Sequence, residues 1–123
     1  MTIREMKGDD LDERLVDFAV AVLGLCQALP PTAAGRHVAG QMLRSGTSPA
    51  ANYAEARGAE SRSDFIHKLR VVLKELNETN TWLKIVRRSG MLPSEALSSL
   101  QRECSDLARI VNASIKTAKT NQR

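Results

Sequence analysis

The chain of 123 residues has only two cysteines, Cys26 and Cys104, and two histidines, His37 and His67. Two cysteines in a chain of this length are no disulfide scaffold, and both fall at apolar helical positions, so buried reduced thiols are expected. Neither histidine has a glutamate three residues before it, which excludes the Glu-x-x-His pairs of a di-iron bundle and leaves His67 as a helix-surface residue. Zinc spacing, a phosphate-binding glycine loop and a nucleophile elbow are also missing. The expectation is a protein with no catalytic residue, metal or cofactor. Aromatic residues number four, Phe18, Tyr53, Phe65 and Trp82, too few for a surface that reads single strands by base stacking.

Long apolar runs are absent too. The most apolar piece, Phe18 to Cys26, falls short of the roughly 20 residues that cross a bilayer. The opening MTIREMKGDDLDER is acidic where a secretory signal would be positive and then apolar, so a cytoplasmic location without membrane contact is expected. Proline and glycine cluster at a few points, no stretch reads as a strand, and the dominant Ala, Leu, Val, Arg, Lys, Glu and Ser suit helices.

What is present is four stretches of helical periodicity. A leader over 1–9 is expected to be flexible. Asp10 is placed to cap the first helix with Glu13 as capping-box partner, and Leu11, Leu15, Phe18, Ala19, Val22, Leu25, Cys26 and Leu29 keep its core spacing until Pro30 and Pro31 end it. The second helix starts after Thr32 and ends near Gly58. Pro49 falls within it, and the phase of its polar residues carries across the proline, which favours a kinked continuous helix over a break. Ser61 or Ser63 opens the third helix, whose core face is Phe65, Leu69, Val72, Leu73, Leu76, Leu83 and Val86. Gly90 caps its end and Pro93 marks the first turn of the fourth, where Leu97, Leu100, Cys104, Leu107, Val111, Ser114 and Ala118 alternate steps of three and four. The predicted architecture is an all-α antiparallel up-down-up-down four-helix bundle over 10–119 with a loose tail at 120–123. Val16, Val20, Leu23, Val71 and Trp82 lie outside these seams, and burying them calls for self-association.

Along the second helix, His37, Gln41, Arg44, Ser48, Asn52 and Glu55 form a polar stripe beside a partly small-residue stripe of Val38, Met42, Ser45, Pro49, Tyr53 and Ala56. The polar stripe reads as a solvated face, as a partly buried network in which Arg44, Asn52 and Glu55 meet a neighbouring helix, or as a site for an external ligand. Glu75 and Glu78 of the third helix are the acids that a network would bring to Arg44, with no need of catalysis. The net charge of +4 and pI of about 9.4 are mildly basic. Acids crowd Glu5 to Glu13, whereas Arg87 and Arg88 follow Lys84, and Lys116 and Lys119 lie in a region without acids. Arg87, Arg88, Lys116 and Lys119 are the candidate phosphate contacts.

The stretches QMLRSGTSPAANYAEA and SRSDFIHKLRVVLKELNETNTWL resemble the two signature blocks of the bacterial four-helix-bundle proteins encoded by intervening sequences in 23S ribosomal RNA genes. Gln41, Arg44, Ser45, Ser48, Ala51, Asn52 and Glu55 match the first block, and Phe65, Lys68, Leu69, Lys74, Glu75, Glu78, Thr79, Trp82 and Leu83 match the second. Pro49 stands where that family's pattern has an apolar residue. The resemblance implies a four-helix bundle assembled as a homopentamer. It also implies a role in binding nucleic acid or in scaffolding, since a related pentameric bundle serves as accessory factor to a reverse transcriptase. The leading expectation is an oligomer that binds structured nucleic acid, RNA or DNA, through basic patches. The alternative is an interaction scaffold or accessory subunit of a nucleic-acid enzyme that does not touch the nucleic acid itself.

Overall fold

The computed structural model describes residues 3–121, with side chains from Gly8 onward. Within them lie α1 (Ile3–Ala28), α2 (Ala33–Arg57), α3 (Arg62–Ser89) and α4 (Ser94–Thr120), and no strand. Short connections force each helix to run back along its predecessor, which gives the expected all-α four-helix bundle. The outer pair, α1 and α4, meets more sparsely than successive helices do. There a depression of about 1140 Å³ opens over Leu11, Tyr53, Phe65, Ile110 and Ala118.

The helix ends follow the chemistry of their caps. Thr32 is extended and its Oγ1 accepts the amide of Gly35 at 3.0 Å, and Ser61 accepts that of Asp64 at 3.0 Å. Gly90 ends α3 at φ 74°, a left-handed conformation that costs a residue with a Cβ. Pro93 occupies the N-cap position of α4, one residue before the turn where it was expected. The start of α1 differs more, because the helix begins at Ile3 and Asp10 lies inside it rather than capping it. Contacts to α2 hold that extension: Tyr53 donates its hydroxyl to the Gly8 carbonyl at 3.4 Å, and Arg57 pairs with Asp9 at 2.7 Å. Residues 1 and 2 of the expected leader and 122 and 123 of the expected tail lie outside the described residues.

α2 runs unbroken through Pro49. Proline offers no amide to the Ser45 carbonyl, but the flanking turns carry side-chain bonds, from Thr47 Oγ1 to the Leu43 carbonyl at 2.7 Å and from Asn52 Nδ2 to the Ser48 carbonyl at 3.0 Å. All six residues of its expected core stripe are buried, as are five of the eight expected on α1, Leu11, Leu15, Phe18, Val22 and Leu29. On α3 the buried edge is Ile66 rather than Phe65, and on α4 it is Ile115 rather than Ser114, one-residue shifts at helix ends where the apolar arc is wide. Val16, Val20 and Leu23 remain 42%, 62% and 41% exposed, and Leu43 and Ile85 join them. Val71 and Trp82 do not, because both are half-buried along α3.

The waist of α2 is built from Ser45, Gly46 and Pro49, all buried. A Cβ on Gly46 would stand 2.5 Å from Val22 Cγ1, so α1 sits closer there than any larger residue permits, whereas one on Gly40 of the same helix would meet nothing within 4 Å. Gly46→Ala is therefore expected to destabilise the protein by about 1–3 kcal/mol through overpacking against the stiff valine. Gly40→Ala should be neutral or stabilising by up to about 1 kcal/mol. Thermal melts of the two variants check the pair, and equal melting temperatures would contradict the close approach.

Candidate nucleic-acid interface

The polar stripe of α2 faces α3. Arg44 donates Nη1 to Glu75 Oε2 at 2.9 Å and Nη2 to Glu78, and Glu78 also accepts Trp82 Nε1 at 3.1 Å. Next to these, Lys68 lies 3.6 Å from Glu55, and Asn52 Nδ2 donates to Ser48 Oγ at 2.8 Å within its own helix. His37 is exposed and sets its ring edge-on against Trp82, centroids 5.9 Å apart. Gln41 is half-buried on the same face and enters none of these bonds. This is the network reading of the stripe, with its burial on the α3 side: the Glu75 side chain is 12% exposed and that of Arg44 51%. Asn52 does not reach across to α3 as expected but bonds within α2.

Below the ion pairs, in the core, the Ser45 and Thr79 hydroxyls lie 2.8 Å apart, and Thr79 Oγ1 also lies 2.8 Å from the Glu75 carbonyl. Each hydroxyl carries one proton, so the two groups serve these bonds between them. The arrangement is structural: the buried hydroxyls are paired with each other and with the Glu75 carbonyl. Arg44 holds the Glu78 carboxyl below the ordinary carboxylate range, assisted by the Trp82 indole, and the two acids in turn push the Arg44 guanidinium up.

The four cationic candidates do not form one patch. Arg87 and Arg88 end α3, and Lys116 and Lys119 end α4. The two helices are antiparallel, so the pairs sit at opposite ends of the bundle: Arg87 donates to Ser98 Oγ at 2.8 Å at one end, and Arg62 donates to the Ala118 carbonyl at 3.4 Å at the other. From Ser98 to Lys116 the helix rises about 27 Å. What antiparallel packing does bring together is Lys84 and Arg87 of α3 with Arg102 and Arg109 of α4, around a groove of about 640 Å³ that Asn80, Ser98, Gln101, Ser105 and Asp106 complete. Of the four candidates only Arg87 lines it. Arg102 and Arg109, one heptad apart on one face and about 10 Å along the axis, were the missed signal.

Within the groove Asp106 pairs with Arg109, while the ion pairs among the described residues leave Lys84 and Arg102 without a carboxylate. Its lining contains no aromatic residue, so it offers charge and hydrogen bonds but no stacking platform. Among the described residues no group of three from His, Cys, Asp and Glu stands close enough to hold a metal ion, and no helix is long and apolar enough to cross a membrane. Burial pushes the Cys104 thiol up to about 12, with its Sγ 3.2 Å from the Leu76 carbonyl, and raises Cys26 as well, so neither is poised as a thiolate.

The family model of the 23S rRNA-intervening sequence protein matches residues 11–113. The chain belongs to that family. A solved member of the S23 ribosomal protein family from Bacteroides thetaiotaomicron VPI-5482, a protein of unknown function, shares the fold with a TM-score of 0.84 and 34% identity over 89% of this chain and 98% of its own. No curated protein matches the chain. For this 23S rRNA-intervening sequence protein, the two signature blocks turn out to be the two sides of the α2–α3 contact: Arg44 and Ser45 come from the first, Glu75, Glu78, Thr79 and Trp82 from the second.

Two measurements probe that contact. Thr79→Val should cost about 1–3 kcal/mol by taking from the Ser45 hydroxyl its 2.8 Å partner, and Ser45→Ala less, because Thr79 keeps its bond to the Glu75 carbonyl; the double variant should cost less than the sum of the two, because the shared bond is lost only once. Strictly additive losses in denaturant titrations would refute the shared bond. Glu78 has a lowered folded value, so its contribution is complete above the unfolded carboxylate value and is lost as pH falls through the folded one. Glu78→Gln should flatten the acid limb of the stability curve by less than about 1 kcal/mol, as suits a pair open to solvent.

Proposed function

We propose that this 23S rRNA-intervening sequence protein is a non-enzymatic, cytoplasmic oligomer that binds structured nucleic acid along the α3–α4 groove. The observation that carries the reading is the convergence of Lys84, Arg87, Arg102 and Arg109 on one groove free of aromatic residues. Such a surface suits the phosphate backbone of a folded strand, where affinity comes from counterion release and needs no base to be exposed. Assembly rests on Val16, Val20 and Leu23, a ladder at steps of four and three on the outer face of α1 that a second copy covers, in the homopentamer that the family resemblance implies. A ring would repeat the groove and multiply weak contacts into avidity. Arg88, Lys116 and Lys119 lie outside the groove and add only long-range attraction.

Fluorescence anisotropy with a labelled hairpin, titrated at several salt concentrations, tests this. If each groove cation meets one phosphate of a duplex, log K falls against log salt with a slope of about −3.6 per protomer, at ~0.9 per phosphate. Lys84→Ala or Arg102→Ala should flatten it by about one. Asp106→Asn should tighten binding, because the carboxylate competes with phosphate for Arg109. No retention of the hairpin at low salt, together with a nuclease-resistant protein partner in pull-downs, would favour the accessory-subunit role instead.

A further inference from the structure

The exposed large apolar residues fall on two of the bundle's four faces. Val16 and Leu23 follow Asp9 on α1 at steps of seven, and Asp9 pairs with Arg57, so both lie along the flank of α1 that looks toward α2. Leu43 joins them from α2: it stands four residues after Ala39, whose carbonyl meets Cys26, and three before Gly46, which lies against Val22. Val20, between Val16 and Leu23, completes this α1–α2 patch. The second patch is on the α2–α3 face. Val71 and Ile85 stand seven residues to either side of Glu78, which Arg44 holds at that seam, and Trp82 lies between Glu78 and Ile85. Ile85 is 40% exposed, and Val71 and Trp82 are half-buried.

The two patches carry unlike charges at their edges. Asp12 and Glu13, three and four residues after Asp9, border the first, and Lys74, four before Glu78, borders the second. Among the described residues none of these three has an ion-pair partner. Resting on the self-association proposed above, we infer that the α1–α2 face of one copy docks on the α2–α3 face of the next. Apolar surface then covers apolar surface, and the acids of one copy approach the lysine of its neighbour. Pairing each patch with its own twin would need two different interfaces, where head-to-tail docking needs one. Both contact faces share α2, so with the bundles side by side each copy turns by a right angle or somewhat less from the last. Such a turn closes a ring of about four or five members instead of running on as a filament. In that ring α2 faces the axis and α4 lies at the rim. The α3–α4 groove belongs to neither contact face, so it opens outward on every copy, and a strand that follows the grooves runs round the outside.

Val20→Asp and Ile85→Asp each spoil one face and leave the other natural, which makes the docking testable by light scattering on the full chain. The natural protein should be assembled and each variant monomeric, with a circular dichroism spectrum matching that of the natural chain to show that it folds. Mixed one to one, the two variants should form a heterodimer and nothing larger, because one natural face of each is left to meet. If Ile85→Asp melts early, Lys74→Glu at an exposed site of the same face takes its place. Each monomeric variant should keep the salt slope per protomer for the hairpin, yet lose about tenfold or more in affinity for a strand long enough to span several grooves. A natural chain that stays monomeric overturns self-association itself. A variant that assembles as the natural chain does overturns the assignment of its face, and a mixture of folded variants that stays monomeric overturns head-to-tail docking. Should the natural chain fail to bind the hairpin, the groove assignment falls, while the scattering results still decide the docking.

Discussion

The bundle depends on how closely three helices approach at the waist of α2. Ser45, Gly46 and Pro49 are small or compact, and they let Val22 of α1 and Thr79 of α3 come against the α2 backbone from two sides. A close approach of this kind fixes register, because sliding either neighbour by one turn would drive a larger residue into the gap. The Ser45–Thr79 bond adds direction to a contact that packing alone leaves nonspecific. Arg44, one residue earlier on α2, then meets Glu75 and Glu78, one turn before Thr79 and beside it, where they close the seam from the solvent side. The same few residues therefore set the spacing, the register and the outer polar edge of the α2–α3 pair.

Register at the waist has consequences at the far face. With α3 held by α2, the C-terminal half of α3 presents Asn80, Lys84 and Arg87 along one side, and α4 returns beside it with Ser98, Arg102, Ser105 and Arg109. The buried strip of α4, from Leu97 through Ala118, orients that helix so its adjoining polar stripe lines the groove. The apolar core thus acts on the groove indirectly. It lines no part of the groove, yet it decides which charges stand opposite one another.

Much of the fold was legible because its signals are local. Thr32, Ser61 and Gly90 satisfy or release particular backbone groups, and alternating steps of three and four on α4 mark a bundle helix. The start of α1 was not legible, since what sustains the helix before Asp10 is contact with Tyr53 and Arg57, far away in sequence. The choice between Phe65 and Ile66, or between Ser114 and Ile115, turns on the rotation of a helix whose apolar arc is too wide to fix it. The grouping of cations failed for a related reason. Arg88 and Lys116 look equivalent as members of basic clusters, but antiparallel pairing sends them to opposite ends, and it joins Lys84 to Arg102 across a turn that a linear reading places between separate segments.

The groove and the α2–α3 seam sit on two sides of α3 and treat polar groups in opposite ways. At the seam the charged and buried donors are matched: Arg44 has two carboxylates, the Trp82 indole has one, and the buried hydroxyls have each other. In the groove the balance is broken, with Lys84 and Arg102 lacking a carboxylate, Asp106 shared out to Arg109, and the Gln101 oxygen unpaired. A sequence selected for stability alone removes such mismatches cheaply, since a leucine or methionine at position 101 would bury without penalty beside a helix seam already rich in leucine. Local departures from the rules that the rest of a structure obeys mark places where a second requirement acts on the sequence. Here the departures share one groove and one chemical sense: positive charge in excess of the carboxylates that stand beside it.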